Sequence, residues 1–125
     1  MREATADTTS PGSLIAADRV EGTAVYNRQG DHLGAIKTVM IDKPSGKVAY
    51  AVMSFGGFLG IGEKYHPLPW SMLTYHRGQR GYVVDLDKAQ LEGAPSYDAA
   101  TPPDYDDPAW GRKVHDYYRV PPYWM

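Results

Sequence analysis

The chain has 125 residues, a length typical of a single domain, so one core and its tails must account for whatever it does. A formal net charge of -2 and a sequence pI near 6.0 leave no general electrostatic pull toward nucleic acid or anionic lipid, and DNA is not an expected partner. With no Cys there are no disulfides and no thiolate metal ligands, while ten Tyr, three Trp and five Met supply apolar area beyond the modest Leu, Ile, Val and Phe content.

Residues 1–12 are polar, Thr-rich and end in Pro-Gly, a composition that cannot offset the entropy of ordering a backbone; they read as a disordered leader. No run of 18 apolar residues occurs, so no membrane span and a cytoplasmic location are expected. From Ser13 to about Leu91, short apolar runs alternate with Gly, Pro, Asn and Asp at the spacing of an all-β sandwich or barrel.

Thr23 to Tyr26 is a strand, and NRQGD, with Gly30 free to take positive φ, turns it into a return strand over His32 to Ile41. Ile36, Val39 and Ile41 break strict period two, which predicts a bulge. DKPSGK is the next turn, with Pro44 presetting φ and Gly46 available for the left-handed conformation. Lys47 to Phe55 carries apolar residues on both faces and must be covered twice. Further strands are predicted at Lys64 to Leu68, Met72 to Tyr75 and Tyr82 to Leu86, with helical turns at Trp70 to Leu73 and at Lys88 to Leu91, the latter capped by Asp87 and ended by Gly93. Six strands of this kind favour a small antiparallel barrel that hides its edges.

Beyond Ala94 the chain becomes Pro- and Asp-rich until Asp107-Pro108, an N-cap followed by proline at the first helical position. Trp110, Val114, Tyr117 and Tyr118 then stand at i, i+4, i+7 and i+8 and form one apolar stripe. Gly111 weakens this helix by about 1 kcal/mol relative to Ala, and at roughly three turns it must dock on something to persist. The aromatic end YYRVPPYWM adds Tyr123 and Trp124. It can pack within the chain or on a neighbouring subunit, and the sequence leaves both open.

The series DRVEGTAVYNRQGDHLGAIKTVMID, SGKVAYAVMSFGGFLGIGEKYHPLPWSML and GYVVDLDKAQLEGAP resembles the bacterial PRC-barrel family, named for the photosynthetic reaction centre H subunit and shared with the C-terminal domain of the ribosome maturation factor RimM. The resemblance runs from Leu14 to Tyr97, about two thirds of the chain, and divides it into a leader (1–12), a PRC-barrel domain (13–97) and a C-terminal extension (98–125). It implies an all-β fold, mainly a compact antiparallel barrel of about six strands, used as a docking module with no catalytic residue. Neither a membrane helix of the H-subunit kind nor an N-terminal domain of the RimM kind is expected from these residues, so neither activity transfers directly.

No catalytic, cofactor-binding or metal site emerges from the residues themselves. FGGFLGIGEK gives Gly57 and Gly62 phosphate-loop spacing, but Glu63 separates Gly62 from Lys64, and Tyr65 follows where a Ser or Thr is needed. His32, His66, His76 and His115 form no i, i+4 or HxH pair, though His66 and His76 could meet across strands. Ser54 and Ser71 lack an activating context, and Glu63, Asp85 and Asp87 fit strand ends and caps. What remains is apolar area without chemistry. The expected function is therefore a non-enzymatic interaction module, homodimeric, with an unidentified protein partner as a further contact. Phe58, Leu59 and Ile61 in the Gly-rich loop, and Trp110, Val114, Tyr117, Tyr118, Tyr123 and Trp124 in the C-terminal segment, are the candidate contacts. The alternatives are an RNA- or ribosome-associated role by analogy with RimM, or a small-ligand or metal pocket at the barrel mouth.

Overall fold

A computed structural model describes residues 13–55 and 62–124. The expected leader and the loop residues Phe58, Leu59 and Ile61 lie outside the described residues. After a four-residue helix, α1 (Ala17–Val20), the chain forms β1 (Ala24–Asn27), β2 (His32–Ile41), β3 (Val48–Phe55) and β4 (Lys64–Pro69). A 3₁₀ turn (Trp70–Met72) leads to β5 (Thr74–His76) and β6 (Gly81–Val84), then to α2 (Lys88–Glu92) and α3 (Pro108–Tyr118).

Local chemistry explains the connections. Buried Asn27 organises the first hairpin: its Oδ1 accepts from the backbone N–H groups of Gln29 (3.0 Å) and Asp31 (2.8 Å), while its Nδ2 donates to Asp31 (3.0 Å). In the second hairpin the Asp42 carboxylate accepts from the Ser45 hydroxyl (2.6 Å) and N–H (3.2 Å), and Gly46 sits at φ +77°. Asp87 caps α2 reciprocally, accepting from Gln90 N (2.8 Å) and donating its own N–H to Gln90 Oε1 (2.9 Å). The short α1 carries no capping side chain, so no local signal marks its start.

The six strands form one sheet in the order β4-β3-β2-β1-β6-β5. Its pairs are antiparallel except β1 with β6, which run parallel, Ala24 opposite Gly81 and Asn27 opposite Val84. The bulging expected in β2 is present, with register shifts between Ile36 and Thr38 and between Met40 and Ile41. The closed antiparallel barrel expected from the sequence is corrected in two respects: one pair is parallel, and no ladder among the described residues joins β4 to β5. Side chains bring the two ends of the sheet together instead. The ring of Trp70, which follows β4, meets Tyr82 on β6 at 5.4 Å.

Prolines decide how the β4 edge is finished. Tyr65 exchanges backbone hydrogen bonds outward with Tyr97, N to O at 2.8 Å and O from N at 3.1 Å. Two and four residues on, where the backbone again faces outward, stand Pro67 and Pro69, which have no N–H to offer. Past the Tyr97 bridge, β4 therefore carries no outward donor that another strand could pair with.

The core comprises Val25, Leu33, Ile36, Ala51, Met53, Leu68, Val84 and Leu91, joined by Val114 from α3. Gly34 on β2 is a close-approach glycine: a Cβ there would collide with the backbone carbonyl of Ser54 on β3 and press on the Met53 side chain. Gly34→Ala should thus lower stability by about 2–4 kcal/mol in urea unfolding, whereas Gly30→Ala, strained at φ +91° but with open space around it, should lose only about 1 kcal/mol.

Candidate functional site

Every residue from Ala49 to Met53 is buried, so β3 is covered on both faces, and the second cover is the chain's own C-terminal segment. Asp107 caps α3 by accepting from Ala109 N (3.0 Å), with Pro108 behind it, as the sequence reading expects. The buried face consists of Gly111, Val114, His115 and Tyr118. This is rotated from the expected Trp110, Val114, Tyr117, Tyr118 stripe because Gly111 and His115, not counted as apolar, turn out to face inward.

Gly111 has a packing role. A Cβ there would stand 3.0 Å from the Trp124 ring and 3.4 Å from the Tyr50 hydroxyl, so its absence lets the helix lie against both. At the other end of α3, Arg119 adopts left-handed backbone (φ +59°) and Val120 N donates to His115 O (3.2 Å). The chain reverses there and lays residues 121–124 back over the helix. His115 meets Trp124 at 5.2 Å and Tyr123 at 6.0 Å between ring centroids, and its Nδ1 lies 2.8 Å from the Gly111 carbonyl oxygen it can bond.

A continuous run of rings joins this segment to the sheet. Tyr65 on β4 packs on Tyr97 (5.7 Å), Tyr97 on Tyr105 (6.1 Å), Tyr105 on Tyr50 (5.7 Å) and Tyr50 on Tyr123 (5.6 Å). The Tyr97 and Tyr105 hydroxyls share a 2.8 Å hydrogen bond. Burial, and secondarily the hydrogen bond to Tyr97, pushes the Tyr105 phenol far above the ordinary range; burial and the neighbouring Tyr123 push Tyr50 up to about 12.

The candidate contacts thus divide. Val114 and Tyr118, expected on a partner-facing stripe, are buried against the protein's own core, the Tyr118 hydroxyl with no hydrogen-bond partner. Trp110 is half-buried between Tyr97 and Tyr105 with its Nε1 unpartnered and Lys113 over its ring at 5.5 Å. Tyr117 is exposed but donates its hydroxyl hydrogen to Gln90 O (2.6 Å), while Tyr123 and Trp124 keep 41% and 48% of their surface. Tyr50, Tyr97 and Tyr105 were missed by sequence reasoning; the available signal was two tyrosines inside an otherwise polar, Pro- and Asp-rich stretch.

Two clefts flank Tyr123. One, about 260 Å³, lies between the Asp42 turn, Tyr50, Tyr105, the Asp106-Asp107 start of α3, Gly111, Arg112, Tyr123 and Trp124. The other, about 310 Å³, lies between Val48, Pro69, Trp70 and Pro121-Pro122. The imidazoles do not converge. His66 is buried on β4 and His76 exposed on β5, at opposite edges of the sheet, and no group of three or more metal-ligating side chains occurs among the described residues.

A small sheet domain with its own C-terminal cover is therefore the class of protein defined by fold and site. The family model for the PRC-barrel domain matches residues 13–91, and the chain belongs to the PRC-barrel family. Among solved structures it is similar to a putative 16S ribosomal RNA processing protein, RimM, from Pseudomonas aeruginosa, at 19% identity and a TM-score of 0.39. That match covers 64% of this chain and 48% of the other, so the chain spans about half the length of that structure. No curated protein matches it. No helix among the described residues is long and apolar enough to cross a membrane.

His66 provides a pH test of the packing. Its ring lies edge-on to Phe55 (5.4 Å), opposite Met53, and its Nδ1 has no hydrogen-bond partner. Burial, and then the Lys64 charge, lowers its pKa from 6.5 to about 4. Between these values the unfolded chain binds the proton and the folded chain does not, so stability is complete above about pH 6.5 and erodes as pH falls toward 4. Urea unfolding at about pH 7.5 and 4.5 should show the native protein losing roughly 2–3 kcal/mol more than His66→Leu. Equal losses would mean that His66 is not held neutral.

Proposed function

We propose that the chain works as a non-enzymatic protein-interaction module, associating with a second copy of itself through the outward side of the C-terminal segment. The observation that carries this reading is that large apolar side chains are left in solvent, Tyr123 and Trp124 of the C-terminal segment among them. Ile41 at the end of β2 is 50% exposed, and its chain neighbour Asp42 lines the same cleft as the half-exposed Tyr123 and Trp124. Exposed aromatic and aliphatic side chains with charged residues close by have the composition of a contact surface. A two-fold dimer, in which both copies use the same surface, is the simplest assembly. A further protein partner would meet the same surface.

Sedimentation equilibrium decides the dimer directly. The full chain at about 100 μM should sediment as a dimer, and Ile41→Glu, a change at a half-exposed strand end, should sediment as a monomer with an unchanged far-UV spectrum. A strictly monomeric full chain would reject self-association.

A further inference from the structure

We propose that the 260 Å³ cleft beside Tyr123 is a binding site for a small organic cation bearing a quaternary ammonium group. The proposal does not rest on self-association, which uses Tyr123 and Trp124 as well, so the titration below is also run on the Ile41→Glu variant.

The lining includes rings packed at an angle to one another: Tyr105 and Tyr50 at 56°, Tyr50 and Tyr123 at 75°, Tyr123 and Trp124 at 88°, with neighbouring centroids 5.0–5.7 Å apart. Four aromatic side chains, Tyr50, Tyr105, Tyr123 and Trp124, thus contribute to one lining, and an aromatic lining attracts a cation through the ring quadrupole. The rim adds charge of the matching sign. Asp42, Asp106 and Asp107 line the cleft against a single guanidinium, Arg112, and no carboxylate–guanidinium ion pair forms there among the described residues. Their field is felt inside: after burial, the charges of Asp42 and Asp106 are the causes that raise the Tyr123 pKa.

A third observation comes from the most buried wall. Tyr50 is 2% exposed, and its hydroxyl makes a long contact with His115 Nδ1, at 3.5 Å, while that nitrogen lies 2.8 Å from Gly111 O. A contact that long barely satisfies the hydroxyl, which is left as a nearly unpartnered polar group among the cleft's lining. Gly111, also in the lining, lets the helix backbone approach that hydroxyl and the Trp124 ring.

The chemistry selects among cations. A primary ammonium needs three hydrogen-bond acceptors and is strongly hydrated. Asp42 already accepts from Ser45 and Asp107 from Ala109, and four of the other lining residues are aromatic. A quaternary ammonium has no N–H to satisfy, so aromatic faces and a nearby negative field suffice. The volume is near the lower end for small-molecule sites and fits a compact solute.

Choline chloride and its neutral isostere 3,3-dimethyl-1-butanol separate cation recognition from simple apolar filling. Titrated into the full chain at constant ionic strength, choline should shift the ring-proton signals of Tyr123 and Trp124 saturably, and the neutral isostere should bind at least about tenfold more weakly. Tyr123→Leu should weaken choline about 3- to 30-fold, and Asp106→Asn, at an exposed residue that leaves the rings in place, about 2- to 5-fold. Equal binding of the two probes, saturable shifts elsewhere in the chain, or no saturation at tens of millimolar choline would overturn the proposal.

Discussion

The structure depends on one constraint: β3 is apolar on both faces and must be covered twice. Half of that cover comes from the buried side chains of the other strands. The other half comes from a helix of 11 residues, too short to persist in water by itself, and from the chain that doubles back after it. Docking solves both problems at once. Each of Val114, Tyr118 and Tyr50 contributes about 1.5–3 kcal/mol by burial, enough to fix a helix that propensity alone would leave marginal. Residues beyond the 13–91 family match thus belong to the core and not to an appendage.

The same segment finishes the sheet. An open ladder leaves two edges, and β4 is blunted by Tyr97 on its outer side and by the missing N–H groups of Pro67 and Pro69. Tyr97 then starts the run of rings that ends at Trp124, so edge protection and cover of β3 are continuous. The apolar patch and the cleft arise where that run reaches the surface, around Tyr123. A site made in this way is as stable as the packing that forms it, because Tyr50 and Gly111 serve the core and the cleft together.

Much of this was legible in the residues. The DKPSGK and NRQGD turns, the return strand over His32 to Ile41, the Asp87 and Asp107 caps and the double burial of β3 all follow from short-range chemistry, and the structure has each of them. Strand partners were not legible, since nothing local distinguishes the parallel β1–β6 pair from a further meander turn; the proline pair in β4 did mark an edge, a clue that the barrel reading passed over. The helix face was misplaced by about one position because an apolar count cannot see that a glycine faces inward to admit Trp124, or that a histidine is buried between rings. The cleft is assembled from Asp42, Tyr50, Tyr105 and Tyr123, far apart in sequence, and only the fold brings them together.

Equilibrium urea unfolding of a chain ending at Tyr97 tests the central claim most directly, since it keeps all six strands and α2 and removes the second cover of β3. The account predicts that the cooperative transition is lost, with apolar surface exposed to a fluorescent hydrophobic dye already in buffer. A cooperative transition at the same midpoint as the full chain would contradict it and show that residues 98–125 are an addition to a domain complete without them.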